Sequence, residues 1–391
     1  MALFETSEYQ ARLERVKDRM EKAGLEALVV VDPANMNYLT GYDAQSYYVE
    51  QAVVVALEAD EPLWIGRKMD ISCARFTTWL SPQNMLGYPE DMVQSRVKHP
   101  MSFMAEVMKA RGLGKKLIGL EMDAPHFTPR SCEVLMAGLP EARFEDARLL
   151  VSWARNIKSA SEIALMMRAG KIMEKVMQTA IEATQVGVRE CDVAAAILYA
   201  QVKGTEEYGG DYTSFEPLIC PGEKGAAPHL TWTDHRFENE TAINFELAAC
   251  VKRYHCPMSR TIYLGQNPPK RLTETAKVTI EGLNAALAAL KPGVTCEEVD
   301  GVWRKAIAHT GIVKESRSGY AMGIGYPPDW GEHTCCMRPG DRTVIQPGMT
   351  FHMITGIWME DWGFEVSDSV VVTEKGCETF ANFPRQLFEK T

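Results

Sequence analysis

The stretch from Ile243 to Gly265, INFELAACVKRYHCPMSRTIYLG, has the rhythm of two strands joined by a short turn. A hairpin of this kind can deliver a pair of acidic metal ligands. Here it holds one acid, Glu246, and the position eleven residues on is Pro257. An acid between apolar strand residues is rarely buried without a role. Glu246 is therefore a candidate nucleophile or water-positioning group. The plainer reading is a structural acid paired with an arginine. Just upstream, APHL sets His229 in a loop before the strand. An imidazole with an ordinary pKa near ~6.5 suits proton transfer, whereas a loop histidine taken alone is usually solvated.

Other groups extend the set. Trp330, in PPDWGEH, offers a flat face to a cationic ring, and Glu332 and His333 of the same loop read equally well as solvated. Alternation in GFEVSDSVV puts Glu365, Ser367 and Ser369 on one face. That favours Glu365, over Glu360 and Asp368, as a second carboxylate. His255 and His352 lie in strands and read as satisfied polar groups. Arg338, in RPGDR, passes as a turn residue, and Tyr320, in GYAMGIG, as a core residue. The ten cysteines have no CxxC or zinc-like spacing and read as reduced thiols without a role.

Two blocks of elements must position these groups. Residues 7–23 keep Tyr9, Leu13, Val16 and Met20 at helical spacing, with Ser7 as a candidate cap. Short apolar strands follow in LEALVVV, QAVVVAL and KKLIGLEM, and DPANMNYLTGYDAQSYY reads as a turn-rich loop. Residues 1–153 thus read as a small α/β domain. Ser159 with Glu162 forms a capping-box pattern that opens a long helix. A helix pair followed by strands then occurs twice, so residues 158–391 read as an α+β domain with an internal pseudo-repeat.

A chain of 391 residues suits two domains. A net charge of −10 with no basic run argues against nucleic acid and anionic membranes as partners. No apolar run is long enough to span a bilayer, and the start lacks the apolar segment of a secretory signal. The expected location is the cytoplasm.

Five stretches occur in one order: NIKSASEIALMMRAG, GAAPHLTWTD, FELAACVKRYHCPMSRTIYLG, GYAMGIGYPPDWGEH and IQPGMTFHMITGIWMEDWGFEVSDSVVVTEKG. With them the chain resembles the pita-bread family of methionine aminopeptidase, prolidase and creatinase. The resemblance implies a pita-bread C-terminal domain and a smaller creatinase-type α/β N-terminal domain. It places the family's metal-ligand positions at Glu246, Pro257, Tyr320, Ile354 and Ser367, and keeps the family's Arg-Thr as Arg260 and Thr261. Most of those ligand positions hold poor donors, so no metal and no cofactor are expected. It makes His229 a catalytic histidine beside Glu246. It sets Arg338 where creatinase grips its substrate's carboxylate, and Tyr320 in the pocket wall. Tyr47 and Tyr48 fall in the loop that reaches the partner's active site in creatinase-like homodimers.

The GIGYPPDWGEH stretch and the tyrosine-rich loop look like those of ectoine hydrolases, which open a cyclic amidine. The expectation is then a metal-independent hydrolase acting on a small zwitterion, ectoine or hydroxyectoine. An amidinium carbon already carries positive charge from its nitrogens, so it needs less of the polarisation a metal supplies. The alternatives are a creatinase-like amidinohydrolase, a peptidase with rearranged metal ligands, and an inactive pita-bread interaction module.

Overall fold

In the computed structural model, which describes residues 2–391, contacts divide the chain between Arg155 and Asn156. The first unit runs α1 (Thr6–Lys22), β1 (Ala27–Val30), α2 (Pro33–Thr40), β2 (Ala52–Ala56), β3 (Leu63–Arg67), α3 (Ile71–Thr77), β4 (Met85–Tyr88), α4 (Pro100–Ala110), β5 (Leu117–Leu120), α5 (Pro129–Gly138), β6 (Arg143–Asp146) and α6 (Leu150–Ala154). Its strands form one sheet in the order β4-β3-β2-β1-β5-β6. The core packs Val29, Ile118 and Leu120 of the sheet against Met101, Met104 and Met108 of α4 and Leu135 of α5.

The expected apolar stripe of α1 is buried: Tyr9, Leu13, Val16 and Met20. Ser7 does not cap it. The helix starts at Thr6, so Ser7 already lies in the first turn and the cap position falls to Glu5. The segment read as a loop from Asp32 onward begins with the buried helix α2. The Asp32 carboxylate accepts the Asn35 N–H at 3.0 Å, Pro33 is pre-set for a first helical turn, and Gly41 ends the helix at φ 82°. The irregular loop starts only there.

The second unit runs α7 (Ala160–Ala183), α8 (Glu190–Lys203), β7 (Leu218–Pro221), β8 (Thr241–Val251), β9 (Tyr254–Leu264), α9 (Lys270–Ala289), α10 (Cys296–Ile307), β10 (Gly319–Tyr326), β11 (Asp329–Met337), β12 (Thr350–Ile354), β13 (Ile357–Trp358), β14 (Gly363–Phe364), β15 (Ser367–Val372), β16 (Cys377–Thr379) and β17 (Phe388–Lys390). The large sheet has the order β16-β15-β12-β10-β9-β8-β7, with β11 on β10 and β17 on β9. The capping box is present. The Ser159 hydroxyl accepts the Glu162 N–H at 3.3 Å, and the Glu162 carboxylate accepts the Ser159 N–H at 2.8 Å. A second box, Thr295 with Glu298, opens α10.

The hairpin pairs β8 with β9 in unbroken register from Thr241↔Leu264 to Val251↔Tyr254. Its two turn residues, Lys252 and Arg253, have φ of 51° and 69°, the left-handed pair a tight hairpin requires. PPDWGEH is a strand rather than a loop, since β10 and β11 pair around the Pro327–Pro328 turn. Glu332 is accordingly buried, 2.6 Å from Lys158 Nζ, while His333 stays exposed. Among the described residues no helix is long and apolar enough to cross a membrane.

Candidate active site

Two carboxylates lie buried in the second unit. Glu246 sits mid-strand in β8, opposite Ser259 of β9 and Leu218 of β7. Glu365 sits between β14 and β15, 1% exposed. Thr261 ties the two segments together. Its hydroxyl accepts the Glu365 N–H at 2.8 Å and lies 2.8 Å from Asn244 Oδ1. Arg260 holds the neighbouring strand by donating to Ser259 O, Ser367 O, Phe383 O, Pro384 O and Asp368 Oδ1. The Arg-Thr pair is thus a clamp between β9 and the start of β15.

Glu365 Oε1 accepts the Trp358 indole N–H at 2.7 Å. Its other oxygen, Oε2, is buried without a hydrogen-bond partner among the described residues. Such an oxygen calls for a ligand or a proton. Burial pushes Glu246 up to about 8, with Glu365 and then Asp329 adding repulsion and Lys314 and Arg317 opposing it. Burial likewise raises Glu365 to about 7, against the Trp358 N–H and Lys314.

Two cations face these acids. Lys314 is buried, donates to Gly356 O at 2.6 Å, and lies 4.2 Å from the Trp358 ring centre. Burial lowers it to about 7, with Glu365 the largest opposing influence. The Arg317 guanidinium stands 4.0 Å over the Tyr320 ring and reaches the Cys336 sulfur at 3.3 Å. Among the described residues it forms no ion pair. The sequence reading missed Lys314, Arg317 and Trp358. VKESRSGY looks like a solvated polar connector, and only the fold turns it inward.

Between the acids and the sheet runs a chain of hydrogen bonds. Burial, with Arg317 beside it, lowers His352 to about 3, so its ring is neutral. Burial, with Glu246 adding to it, holds the Tyr320 phenol well above its usual range, so it keeps its proton. Donor counting then sets the directions. Trp330 Nε1 donates to the Tyr320 hydroxyl at 2.8 Å, and that hydroxyl donates to His352 Nδ1 at 2.8 Å. His352 Nε2 donates to Ser367 Oγ at 2.6 Å. Ser367 Oγ also accepts the Ser259 N–H at 2.7 Å and donates to Ser259 Oγ at 3.0 Å. Glu246 Oε1 stands 4.0 Å from His352 Nδ1. Tyr320 and Ser367 therefore complete a closed polar network. His255 is also satisfied, by Arg253 O and the Ser214 N–H.

Of the residues singled out from sequence, the structure gathers Glu246, Glu365 and Tyr320. Trp330 is 1% exposed, its N–H is held by Tyr320, and Phe215 makes a T-shaped contact with its ring at 4.6 Å. His229 is exposed, in a loop whose Thr231 bridges Leu218, the register partner of Glu246. Arg338 is exposed just past β11, and Arg317 is the arginine whose charge reaches Glu246. Tyr48 lies in the first unit, 65% exposed, with its hydroxyl 2.9 Å from Arg67.

Residues 164–374 match the model of metallopeptidase family M24, and residues 12–157 match that of the creatinase/prolidase N-terminal domain. Over 99% of its length the chain is 44% identical to an uncharacterized hydrolase/peptidase of Sinorhizobium fredii, covering 98% of that protein. Over 99% it is also 42% identical to the ectoine hydrolase of Halomonas elongata, again covering 98% of it. Among solved structures, a prolidase from Thermococcus sibiricus superposes with a TM-score of 0.84 at 22% identity, over 97% of this chain and 99% of that one. The N-terminal domain of the FACT subunit SPT16 from chickpea superposes at 0.76 and 15% identity, over 99% of this chain and 100% of that one. Both likenesses speak to the fold.

The metallopeptidase family implies a metal, and the donor set here does not fit one. Among the described residues no three His, Cys, Asp or Glu side chains converge as ligands. A catalytic zinc site uses three protein ligands and an open position. Here the hydroxyls of Tyr320 and Ser367 are already committed to His352.

Proposed function

This chain belongs to metallopeptidase family M24 and is a hydrolase, and on that premise we propose that it opens the cyclic amidine ring of ectoine without a metal ion. The observation that carries this reading is the pairing of two buried acids, Glu246 and Glu365, one with a bare Oε2. Burial disfavours the charged form of each. A flat amidinium offers N–H donors and a positive charge to both at once. A neutral peptide bond offers at most one N–H and no charge. The 42% identity to an ectoine hydrolase points the same way.

In this reading the substrate's ring lies between Glu246 and Glu365, and Arg317 forks onto its carboxylate. Ionised Glu246 adds to the amidinium carbon, or aligns the water that does. In the water route one C–O bond forms and one C–N bond breaks; in the covalent route the bond to Glu246 forms first, the C–N bond breaks, and water then adds to the same carbon and releases Glu246. The leaving nitrogen takes a proton, and the product is N-acetyl-2,4-diaminobutyrate. His229 relays the proton between the ring nitrogen and water. We further propose that the enzyme works as a cytoplasmic homodimer in which Tyr48 of one copy closes the pocket of the other.

The test offers ectoine, hydroxyectoine and creatine separately to purified protein and follows products by NMR. Ring opening of ectoine is expected. Turnover of creatine alone would favour an amidinohydrolase. Binding without turnover of any of the three would favour an interaction module. Light scattering tests the dimer, and loss of activity in Y48A with binding weakened tests its reach.

A further inference from the structure

His229 stands in a segment without regular structure between the short helical turn Gly222–Ala226 and β8. An exposed imidazole on a free loop samples many positions, and fixing it costs conformational entropy. One buried carboxylate closes this loop from both sides. Glu190, the first residue of α8 and 2% exposed, accepts Lys224 Nζ at 3.0 and 3.1 Å. The same carboxylate accepts the Thr233 N–H at 2.6 Å and the Thr233 hydroxyl at 2.9 Å. Lys224 precedes His229 and Thr233 follows it. The backbone repeats the tie, since the Glu190 N–H donates to His235 O at 2.9 Å and the Cys191 N–H to Thr233 O at 3.0 Å.

The loop's inner side is held as well. The Cys220 thiol lies 3.4 Å from Ala227 O and 3.4 Å from Leu230 O, on either side of His229. Thr231 bridges Leu218, one strand away from Glu246. Gly225 is pressed so closely on Gly363 that a Cβ on Gly363 would meet Gly225 O at 2.1 Å. Gly363 is two residues before Glu365, so the loop is seated against both segments that carry the acids.

We propose that Glu190 is a positioning residue for His229, a single carboxylate that clasps the two ends of the loop presenting the imidazole. An acid that served only the α8 N-terminus would need neither Lys224 nor Thr233. The proposal rests on the role given to His229 above, and the experiment separates the two.

Full-length E190A, K224M, H229A and the double variant E190A/H229A are assayed on ectoine, with amide hydrogen exchange read over residues 225–232. E190A is expected to lower kcat about tenfold or more with KM nearly unchanged, as misplacing a reacting group does. It should also speed exchange in 225–232 while leaving α7 and β9 protected. The kcat loss should vanish in the H229A background, because the two changes then act through one group. K224M opens one side of the clasp only, at a half-buried residue, and should show the same pattern more weakly. Unchanged exchange in 225–232, or an equal kcat loss with and without His229, overturns the clasp. H229A with full turnover overturns the role of His229 instead, and the exchange result still judges the clasp.

Discussion

The Lys314 ammonium lies 4.2 Å from the centre of the Trp358 ring, and the edge of the same indole donates to Glu365 at 2.7 Å. One side chain thus holds a cation by its face and an anion by its N–H. Lys314 and Arg317 are the positive charges of this site, in a family whose name implies a metal.

Removing that charge should weaken the acids' hold on a cation. In K314M both Glu365 and Glu246 lose a group that lowers their proton affinity. The kcat/KM for ectoine at pH 7 should fall about tenfold or more, the equivalent of about 1.4 kcal/mol. Raising the pH should restore part of it, and K314R should do better than K314M. Steady-state rates across pH check this, and a K314M with wild-type rates would remove the lysine from the site.

E246Q should abolish turnover while calorimetry still detects ectoine. The amide keeps the shape of the carboxylate and loses its charge and nucleophilicity. Measurable turnover in E246Q would reassign the attacking group.

The same substitution changes stability with a definite sign. Burial raises Glu246 to about 8 in the folded protein, above its ordinary 4.5. Its protonated form is therefore favoured by folding. That contribution is whole below the unfolded value and is lost as pH rises through the folded one. The wild type should lose stability from pH 5 to 9 relative to E246Q, by roughly 2–4 kcal/mol after allowing for coupling to Glu365. Ectoine affinity should run the opposite way, rising as the pH passes about 7 to 8. Thermal unfolding and titration at several pH values test both slopes.

Chelation should leave activity intact. After dialysis against a strong chelator, elemental analysis should find far less than one divalent ion per chain, with kcat unchanged. Loss of turnover that returns with zinc or manganese would reverse the mechanism proposed here.

Y320F should destabilise the protein. It removes the proton donated to His352 Nδ1 and the acceptor of the Trp330 N–H. Two buried groups lose partners at about 1–3 kcal/mol each. A denaturant midpoint equal to wild type would show the network to be slack.

What the sequence makes legible here follows from locality. The β8–β9 hairpin and the Ser159–Glu162 box are specified by residues a few positions apart, and both stand in the structure. Glu365 is legible because strand alternation carries the face of Ser367 two residues back. Lys314 and Arg317 are not, since a lysine and an arginine in a polar connector look solvated until tertiary contacts bury one and stack the other. Trp330 shows the mirror case: an indole beside two prolines suggests an exposed platform, yet β11 pairs with β10 and the indole is buried.

Arg260 has a consequence for handling the molecule. Two of its acceptors, Phe383 O and Pro384 O, belong to the closing stretch of the polypeptide, and Arg385 adds a bond from there to Asp368. Trimming the chain before Phe383 would take two of the five acceptors from a wholly enclosed guanidinium and leave it with Ser259 O, Ser367 O and Asp368. A variant shortened before Phe383 should therefore lose stability as well as activity, because the same guanidinium braces the segment that leads from Glu365 into β15.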